Sequence, residues 1–412
     1  MIRSLTVGLP VDSMSTTGIE SEASGLLAAA AETLSDEATA PRTLRFALPA
    51  SGAEGELGGA LLSRLRWVDR LAESSGVRWF CMPLDFVAPG PRRGRMQAAL
   101  DGISRFPRLF VNLVMAADRE IALGAAQDAA RFVLDVSRKT NNGFDNFRVG
   151  MSCNCPANAP FFPFTRHEGE SLAFSFALET TQLASGILDR CPDLKDPGSV
   201  RDRLAEGLTE PLAALHAAGE RLAEQTGAEY RGLDASLAPI PVDGVSVAGL
   251  IERMIGAPVG SHGSLFATSL LTDALRTALK ASGARAVGFN GVMFSLLEDP
   301  LLAAANNRRL LTLDGLLALS TVCACGVDMV PLPGVSFPEE ISALVLDVAG
   351  LSTALDKPLG VRLLPIPKAR VNEFTQLNLD FLCDSRVVGL SSNDRIFTSE
   401  QPLLGLRTPR GR

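Results

Sequence analysis

Short apolar runs rich in β-branched and aromatic residues alternate along the chain with longer Ala/Leu-rich amphipathic stretches, the pattern expected of α/β architecture. The short runs predict about ten strands, at 4–9, 43–48, 77–82, 109–115, 147–151, 173–178, 230–237, 286–289, 327–332 and 360–364. Helices are expected at 25–34, 60–74, 116–139, 200–225, 245–255, 265–282, 313–321 and 338–349. The last opens with Pro-Glu-Glu, where a proline and two acids suit the first turn and its dipole. Most connections are short and marked by Gly or Pro, as in Pro331-Leu-Pro-Gly334 and Pro365-Ile-Pro367. No interdomain linker is visible, so residues 1–412 read as one domain, with 20–37 and 408–412 peripheral. The stretches 140–145 and 154–167 look irregular, and long loops in compact domains often carry function.

Two of the predicted strands contain an aspartate: Asp234 in Gly232-Leu-Asp-Ala-Ser-Leu-Ala-Pro239 and Asp328 in Val322-Cys-Ala-Cys-Gly-Val-Asp-Met-Val330. An unpaired buried charge costs several kcal/mol, so each is either tied into hydrogen bonds or faces a cavity at a strand end. Asp234 and Ser236 stand two apart and share a strand face, which aims a carboxylate and a hydroxyl the same way. An Asx-type turn before Pro239 explains them equally well.

The chain has 412 residues, 46% of them hydrophobic and 21% charged, enough to bury a large core. A net charge of −7, with no basic run longer than Pro91-Arg-Arg-Gly-Arg95, argues against a nucleic-acid partner. No window approaches the roughly 18 apolar residues of a membrane span, and the first residues lack the apolar core of a signal peptide, so the expected location is the cytoplasm. The expected partner is a small-molecule ligand, and self-association into a homo-oligomer is left open. Seven cysteines, an odd number in so long a chain, are expected to be reduced. Cys153/Cys155 and Cys323/Cys325 have Cys-x-Cys spacing, which on a strand puts both thiols on one face. Small buried hydrophobes on one side, and thiol chemistry or metal binding on the other, are the readings.

Common nucleotide, hydrolase and zinc-protease motifs are missing from the sequence: there is no Gly-x-Gly-x-x-Gly after a strand, no P-loop, no Gly-x-Ser-x-Gly and no His-Glu-x-x-His. Only three histidines occur. His216 lies in an Ala/Leu helix and reads as structural. His262, in Val259-Gly-Ser-His-Gly-Ser264, stands in a Gly/Ser loop ahead of a helix, where Ser261 and the backbone amides either hold an anion or cap the helix. His167 follows the aromatic stretch Pro160-Phe-Phe-Pro-Phe-Thr-Arg166 and precedes Glu168-Gly-Glu170, a polar group beside an aromatic wall. Asn290, between glycines at a predicted strand end, can donate and accept close to a ligand. Arg362 suits bidentate capture of a carboxylate, or a buried pair with Asp234 or Asp328.

Taken together, Ile2-Arg-Ser-Leu-Thr-Val-Gly-Leu9, Pro160-Phe-Phe-Pro163, Gly232–Pro239, Val322–Met329, Val361-Arg-Leu-Leu-Pro-Ile-Pro367 and 381–388 resemble the domain-of-unknown-function 711 family, also called uncharacterised protein family 0210. The resemblance covers most of the chain. It implies a pyruvate formate-lyase-like fold, a single ten-stranded α/β barrel of two parallel five-stranded halves. A radical mechanism is not implied, because the tail Pro402-Leu-Leu-Gly-Leu-Arg-Thr-Pro-Arg-Gly-Arg412 lacks the glycyl-radical loop and neither Gly405 nor Gly411 fits it. Cys323 and Cys325 resemble that fold's thiyl cysteine only in kind.

The resulting expectation is a cofactor-poor, non-radical lyase or isomerase acting on a small carboxylate or amino-acid-like metabolite. Asp234 or Asp328 would be the base, His262 the proton donor, and Asn290, Arg362, Ser236, His167 and Ser261 substrate contacts. Cys323, Cys325 and Cys153 are candidate thiols. No cofactor is expected. A divalent metal is open, and metal-dependent hydrolysis through Asp234, Asp328, Glu298 and a histidine is one alternative. A metabolite sensor without turnover is the other.

Overall fold

A computed structural model describes residues 1–10, 18–36, 39–50, 58–88, 92–139, 141–242, 244–391 and 402–406. The first part of the chain alternates strand and helix: β1 (Ile2–Gly8), α1 (Ile19–Thr33), β2 (Thr43–Ala47), α2 (Gly58–Ser74), β3 (Trp79–Asp85), α3 (Arg92–Arg105) and β4 (Leu109–Ala117). Next come β5 (Glu120–Ile121), α4 (Ala126–Lys139), β6 (Val149–Cys153), β7 (Ala173–Leu178), α5 (Thr181–Asp189), α6 (Pro197–Thr226) and β8 (Glu229–Asp234). The remainder holds α7 (Val247–Ile255), α8 (Ser264–Ser282), α9 (Pro300–Asn307), α10 (Leu313–Leu319), β9 (Gly326–Pro333), α11 (Pro338–Leu355), β10 (Leu359–Ile366) and β11 (Leu404–Gly405).

The strands form one mixed sheet in the order β8-β7-β1-β2-β3-β4-β6-β10-β9, with β5 and β11 appended at β4. Neighbours from β1 to β6 run parallel, as do β7 with β8 and β9 with β10, and these groups meet antiparallel at β1/β7 and β6/β10. The expected ten-stranded closed barrel is not what the ladders form. Between the end strands β8 and β9 lies the predicted strand 286–289, which makes one isolated bridge, Ala286 to Leu233, followed by two more just after it, Val292 to Leu237 and Ser295 to Asp328. Positive φ at Gly288 (92°) and Asn290 (51°) turns the chain there and prevents a continuous ladder.

The predicted helix 116–139 is also shorter than expected. Strand β4 continues through Ala117, and Asp118 and Arg119, both at positive φ, reverse the chain into β5 before α4 begins. Helices α3, α5 and α9 are additions to the sequence pattern. Asp299 fixes two helix starts at once. Its buried carboxylate accepts from Leu301 and Leu302 at the head of α9 and from Val247 and Ala248 at the head of α7.

The sheet has two unlike faces. Leu5, Val7, Phe46, Phe80, Met82, Val111, Leu113, Phe174, Phe176, Val361 and Leu363 pack with the helices in one large apolar core. The alternate positions carry Ser4, Thr6, Arg45, Asn112, Ser152, Ser175, Asp328 and Arg362, all buried. A face so polar yet withdrawn from water requires partners, and these come from the loops.

Candidate functional site

Residues 154–167, anticipated as an irregular loop, run against the polar face of the sheet. A buried loop brings backbone carbonyls with no ladder to join. The inner side chains supply their donors: Thr6 Oγ1 to Pro160 O (3.0 Å), Asn112 Nδ2 to Thr165 O (3.1 Å), Ser175 Oγ to Asn158 O (2.8 Å) and Cys81 Sγ to Pro163 O (3.2 Å). This arrangement accounts for polar residues in the middle of apolar strands. It also presents the rings of Phe161, Phe162 and Phe164 to a cavity of about 300 Å³.

Further aromatic walls come from Trp79, Phe110, Phe147, Phe289 and Phe381, and the polar lining includes Arg3, Arg45, Glu179, Ser295, Glu298, Cys325, Asp328 and Arg362. Arg362 is engaged through two of its three nitrogens. Its Nε and one terminal nitrogen donate to the two oxygens of Asp328 at 2.6 and 2.7 Å, the latter nitrogen also reaches Glu298 at 3.1 Å, and the guanidinium lies over Phe147. A bulge makes this fit possible. Val361 pairs with Val327 and Leu363 with Val330, so Asp328 and Met329 (φ 55°) together oppose Arg362. Burial lowers the Arg362 pKa, but Asp328 and Glu298 outweigh it and hold the group well above its ordinary value. Burial also raises Glu298, while Arg362 and Arg3 outweigh that and keep its carboxylate ionised below the usual range. Ser295 Oγ donates to Glu298 Oε2 at 2.5 Å.

Arg45, on β2, is differently placed. It is only 5% exposed. Its Nε donates to Thr43 Oγ1 at 3.1 Å, and its guanidinium lies between Trp79 (5.2 Å) and Phe162 (5.0 Å). Among the described residues its two terminal nitrogens have no hydrogen-bond or carboxylate partner. Burial and then Arg3 lower its pKa to about 9, outweighing the opposite pull of Glu298 and Glu179, neither of which is in direct contact with it. Sequence reasoning passed over this residue. The signal was present in Thr43-Leu-Arg-Phe-Ala47, where a charge stands between apolar strand positions just as Asp234 and Asp328 do.

Of the residues singled out from sequence, Glu298, Asp328, Arg362 and Cys325 reach the cavity. Asp234 does not line it. Its oxygens accept from Ser236 Oγ (2.5 Å), Ser236 N (3.1 Å), Phe289 N (2.7 Å) and Asn290 N (3.1 Å). Asn290 in turn accepts from Ala235 N, and Ser236 Oγ from Gly291 N. Asp234, Ser236 and Asn290 thus form a closed knot that pins the 288–291 turn to β8. Burial raises the Asp234 pKa, with these bonds opposing the rise. None of these three residues, expected as base and substrate contacts, lines the cavity.

His262 is exposed at the head of α8, where Ser264 Oγ accepts from Gly260 N and donates to Ser261 O, so the loop satisfies itself and Ser261 and His262 stand outside the cavity. His167 is buried beside Gly8, with Nδ1 3.0 Å from Asn158 Oδ1. Burial and then Arg231 lower its pKa to about 4 and keep it neutral. It too lies outside the cavity lining. His216 stacks on Tyr230 at 5.5 Å.

All seven cysteines are free thiols. The Cys-x-Cys pairs do not share a face. The chain leaves β6 at Asn154 (φ 51°) and enters β9 through Gly326 (φ 86°), so Cys153 and Cys323 join the helix-side core while Cys155 and Cys325 join the loop-side cluster. Burial pushes the Cys155 thiol up to about 12 and raises Cys325 well above its ordinary value, so both are protonated. Among the described residues no three His, Cys, Asp or Glu side chains are grouped to hold a metal ion, and no helix is long and apolar enough to cross a membrane. Gly405 lies in the short β11–β5 pairing, and Gly411 lies outside the described residues.

Comparison with known proteins matches residues 48–378 to the family described as "Uncharacterised ACR (DUF711)". A UPF0210 protein of Pyrobaculum arsenaticum is 31% identical over 318 residues, 76% of this chain and 69% of the relative. A UPF0210 protein of Pyrobaculum aerophilum is 31% identical over 286 residues, and there the chain spans 61% of the relative's length. A UPF0210 protein of Methanopyrus kandleri is 29% identical over 325 residues, 77% of this chain and 71% of that protein. With a match over most of its length and relatives at this level of identity, the chain belongs to the DUF711 family, the UPF0210 proteins.

Proposed function

We propose that the protein takes a small carboxylate metabolite into the aromatic-walled cavity and that Arg45 receives the carboxylate. The observation that carries this reading is Arg45 itself: buried, with its guanidinium over the rings of Trp79 and Phe162, and with both terminal nitrogens unused. A planar fork of that kind matches a carboxylate bidentately. The segment 284–298 would complete the strand ring between β8 and β9, giving the ten-stranded barrel of pyruvate formate-lyase-like proteins; the bridges on both its sides support this.

On the bound molecule the protein would act as a non-radical, cofactor-poor lyase or isomerase. Glu298, ionised and with Oε1 outside any hydrogen bond, is the proton acceptor such chemistry would use, and the protonated Cys325 thiol the neighbouring donor. A second reading, a sensor that binds and releases its ligand unchanged, is favoured by the pairing of Asp328 and Glu298 with arginines, which lowers their strength as bases. Prolonged incubation with a library of small carboxylates, followed by mass spectrometry of protein-bound and free fractions, tests both. Product formation lost in Glu298→Gln supports the enzyme, and a retained, unaltered ligand supports the sensor. If no carboxylate binds wild type more tightly than Arg45→Gln, the cavity reading fails.

A further inference from the structure

The cavity presents a second unused polar position opposite in sign to Arg45. Glu298 Oε2 is occupied by Ser295 Oγ and Arg362, whereas Oε1 accepts no hydrogen bond among the described residues and has only the Arg3 ion pair at 3.5 Å. The cavity therefore offers both a guanidinium edge and an ionised carboxylate oxygen, with aromatic and aliphatic side chains lining the rest, including Met293 and Ile240. Resting on the reading of Arg45 as carboxylate receptor, we infer that the ligand is an α-amino acid with an apolar side chain, its carboxylate on Arg45 and its ammonium on Glu298 Oε1.

Charge and size agree with that class. Glu179 is held by the exposed Arg42 at 2.8 Å and lies 3.8 Å from Arg3, while Glu298 and Asp328 pair with Arg3 and Arg362, so among the described residues each of these carboxylates has an arginine and Arg45 has no carboxylate. A zwitterion leaves each new charge beside an opposite one, the condition for placing charge in a site withdrawn from water. A simple monocarboxylate fills only the Arg45 position and leaves Glu298 Oε1 desolvated with no added donor. The cavity of about 300 Å³ has room for about ten waters at about 30 Å³ each, hence for a ligand of on the order of ten non-hydrogen atoms. The aromatic lining suits a branched or aromatic side chain.

Calorimetric titration of the full chain with two matched pairs tests the assignment: L-phenylalanine against 3-phenylpropanoate, and L-leucine against 4-methylpentanoate. At least one amino acid is expected to bind roughly tenfold or more tightly than its amine-free partner, because the partner leaves a polar group of the site unpaired. In Glu298→Gln that ratio should shrink to about twofold, with the amine-free acid retaining its wild-type affinity. Amine-free acids that bind wild type as tightly as the amino acids overturn this inference while the carboxylate reading stands. Absence of binding by all four compounds overturns both. The wild-type ratio decides the matter even where Glu298→Gln does not fold.

Discussion

Replacing Arg45 by methionine separates a binding residue from a structural one. Methionine keeps much of the apolar stem and removes the charge. The folded protein holds this cation at a pKa of about 9 against 12.5 for the free group, a penalty on the order of 5 kcal/mol at about 1.4 kcal/mol per unit. Against that relief stand the lost hydrogen bond to Thr43, about 1 kcal/mol, and two ring contacts of about 1–2 kcal/mol each. The two sides nearly cancel, so Arg45→Met should change stability by no more than about 2 kcal/mol. At this chain length 1 kcal/mol moves Tm by about 1 °C, so scanning calorimetry should find a shift within about 2 °C. Binding should respond very differently. Two charge-assisted hydrogen bonds of about 1.5–3 kcal/mol each correspond to a loss of roughly 10²–10⁴-fold in carboxylate affinity, read by titration calorimetry. A variant that loses more than about 5 °C in Tm yet binds its ligand as before would refute the argument, because Arg45 would then be a packing residue.

Three other outcomes follow from the same geometry. Arg362→Met strands the carboxylates of Asp328 and Glu298 and should cost about 3–5 kcal/mol, part of which a second change, Asp328→Asn, should restore; strictly additive Tm losses would speak against the pairing. Asp234→Ala removes the acceptor of three backbone amides and the Ser236 hydroxyl, so a loss of about 4 kcal/mol is expected with ligand affinity of the folded protein unchanged. Wild-type Tm with abolished binding would return Asp234 to the site. His167 is neutral in the folded chain down to about pH 4, whereas the unfolded chain takes up its proton near 6.5. Between those values the unfolded state binds more protons, so the contribution is complete above about pH 6.5 and declines toward pH 4, by at most about 3 kcal/mol. His167→Gln should flatten that part of the Tm-against-pH curve; an unchanged slope would assign the acid sensitivity elsewhere.

Nine of the ten strand positions were legible because each is an apolar run long enough to cross the sheet, whatever lies on its second face. The tenth, 286–289, has the same composition, but the positive-φ turn at 288–290 that breaks its ladder is specified by a distant carboxylate, Asp234, which no local pattern reveals. The site was half legible. Asp328 and Arg362 were recognised as charges in apolar strands and do meet, since adjacent strands bring them into register across a bulge. Asp234 gives the same sequence signal for a different cause: what decides between a structural and a functional carboxylate is how many donors the fold aims at it. Arg45 and Glu298 were underrated for the converse reason, because an unused donor or acceptor is a property of what surrounds a side chain in space.

The ring of Phe164 lies over the seam where β6 and β10 meet antiparallel, and there both strands present glycine; a Cβ on Gly360 would fall 2.5 Å from that ring and one on Gly150 2.7 Å from it. Any side chain at either position lifts the ring. Two residues back along the same loop, Phe162 forms one face of the Arg45 sandwich, so a displacement at the seam is delivered to the anion receptor by the shortest covalent route. Seam and receptor are one mechanical part. A descendant of this protein that changes ligand has room to do so elsewhere in the lining, among Ile240, Val242 and Met293, which take no part in that seam.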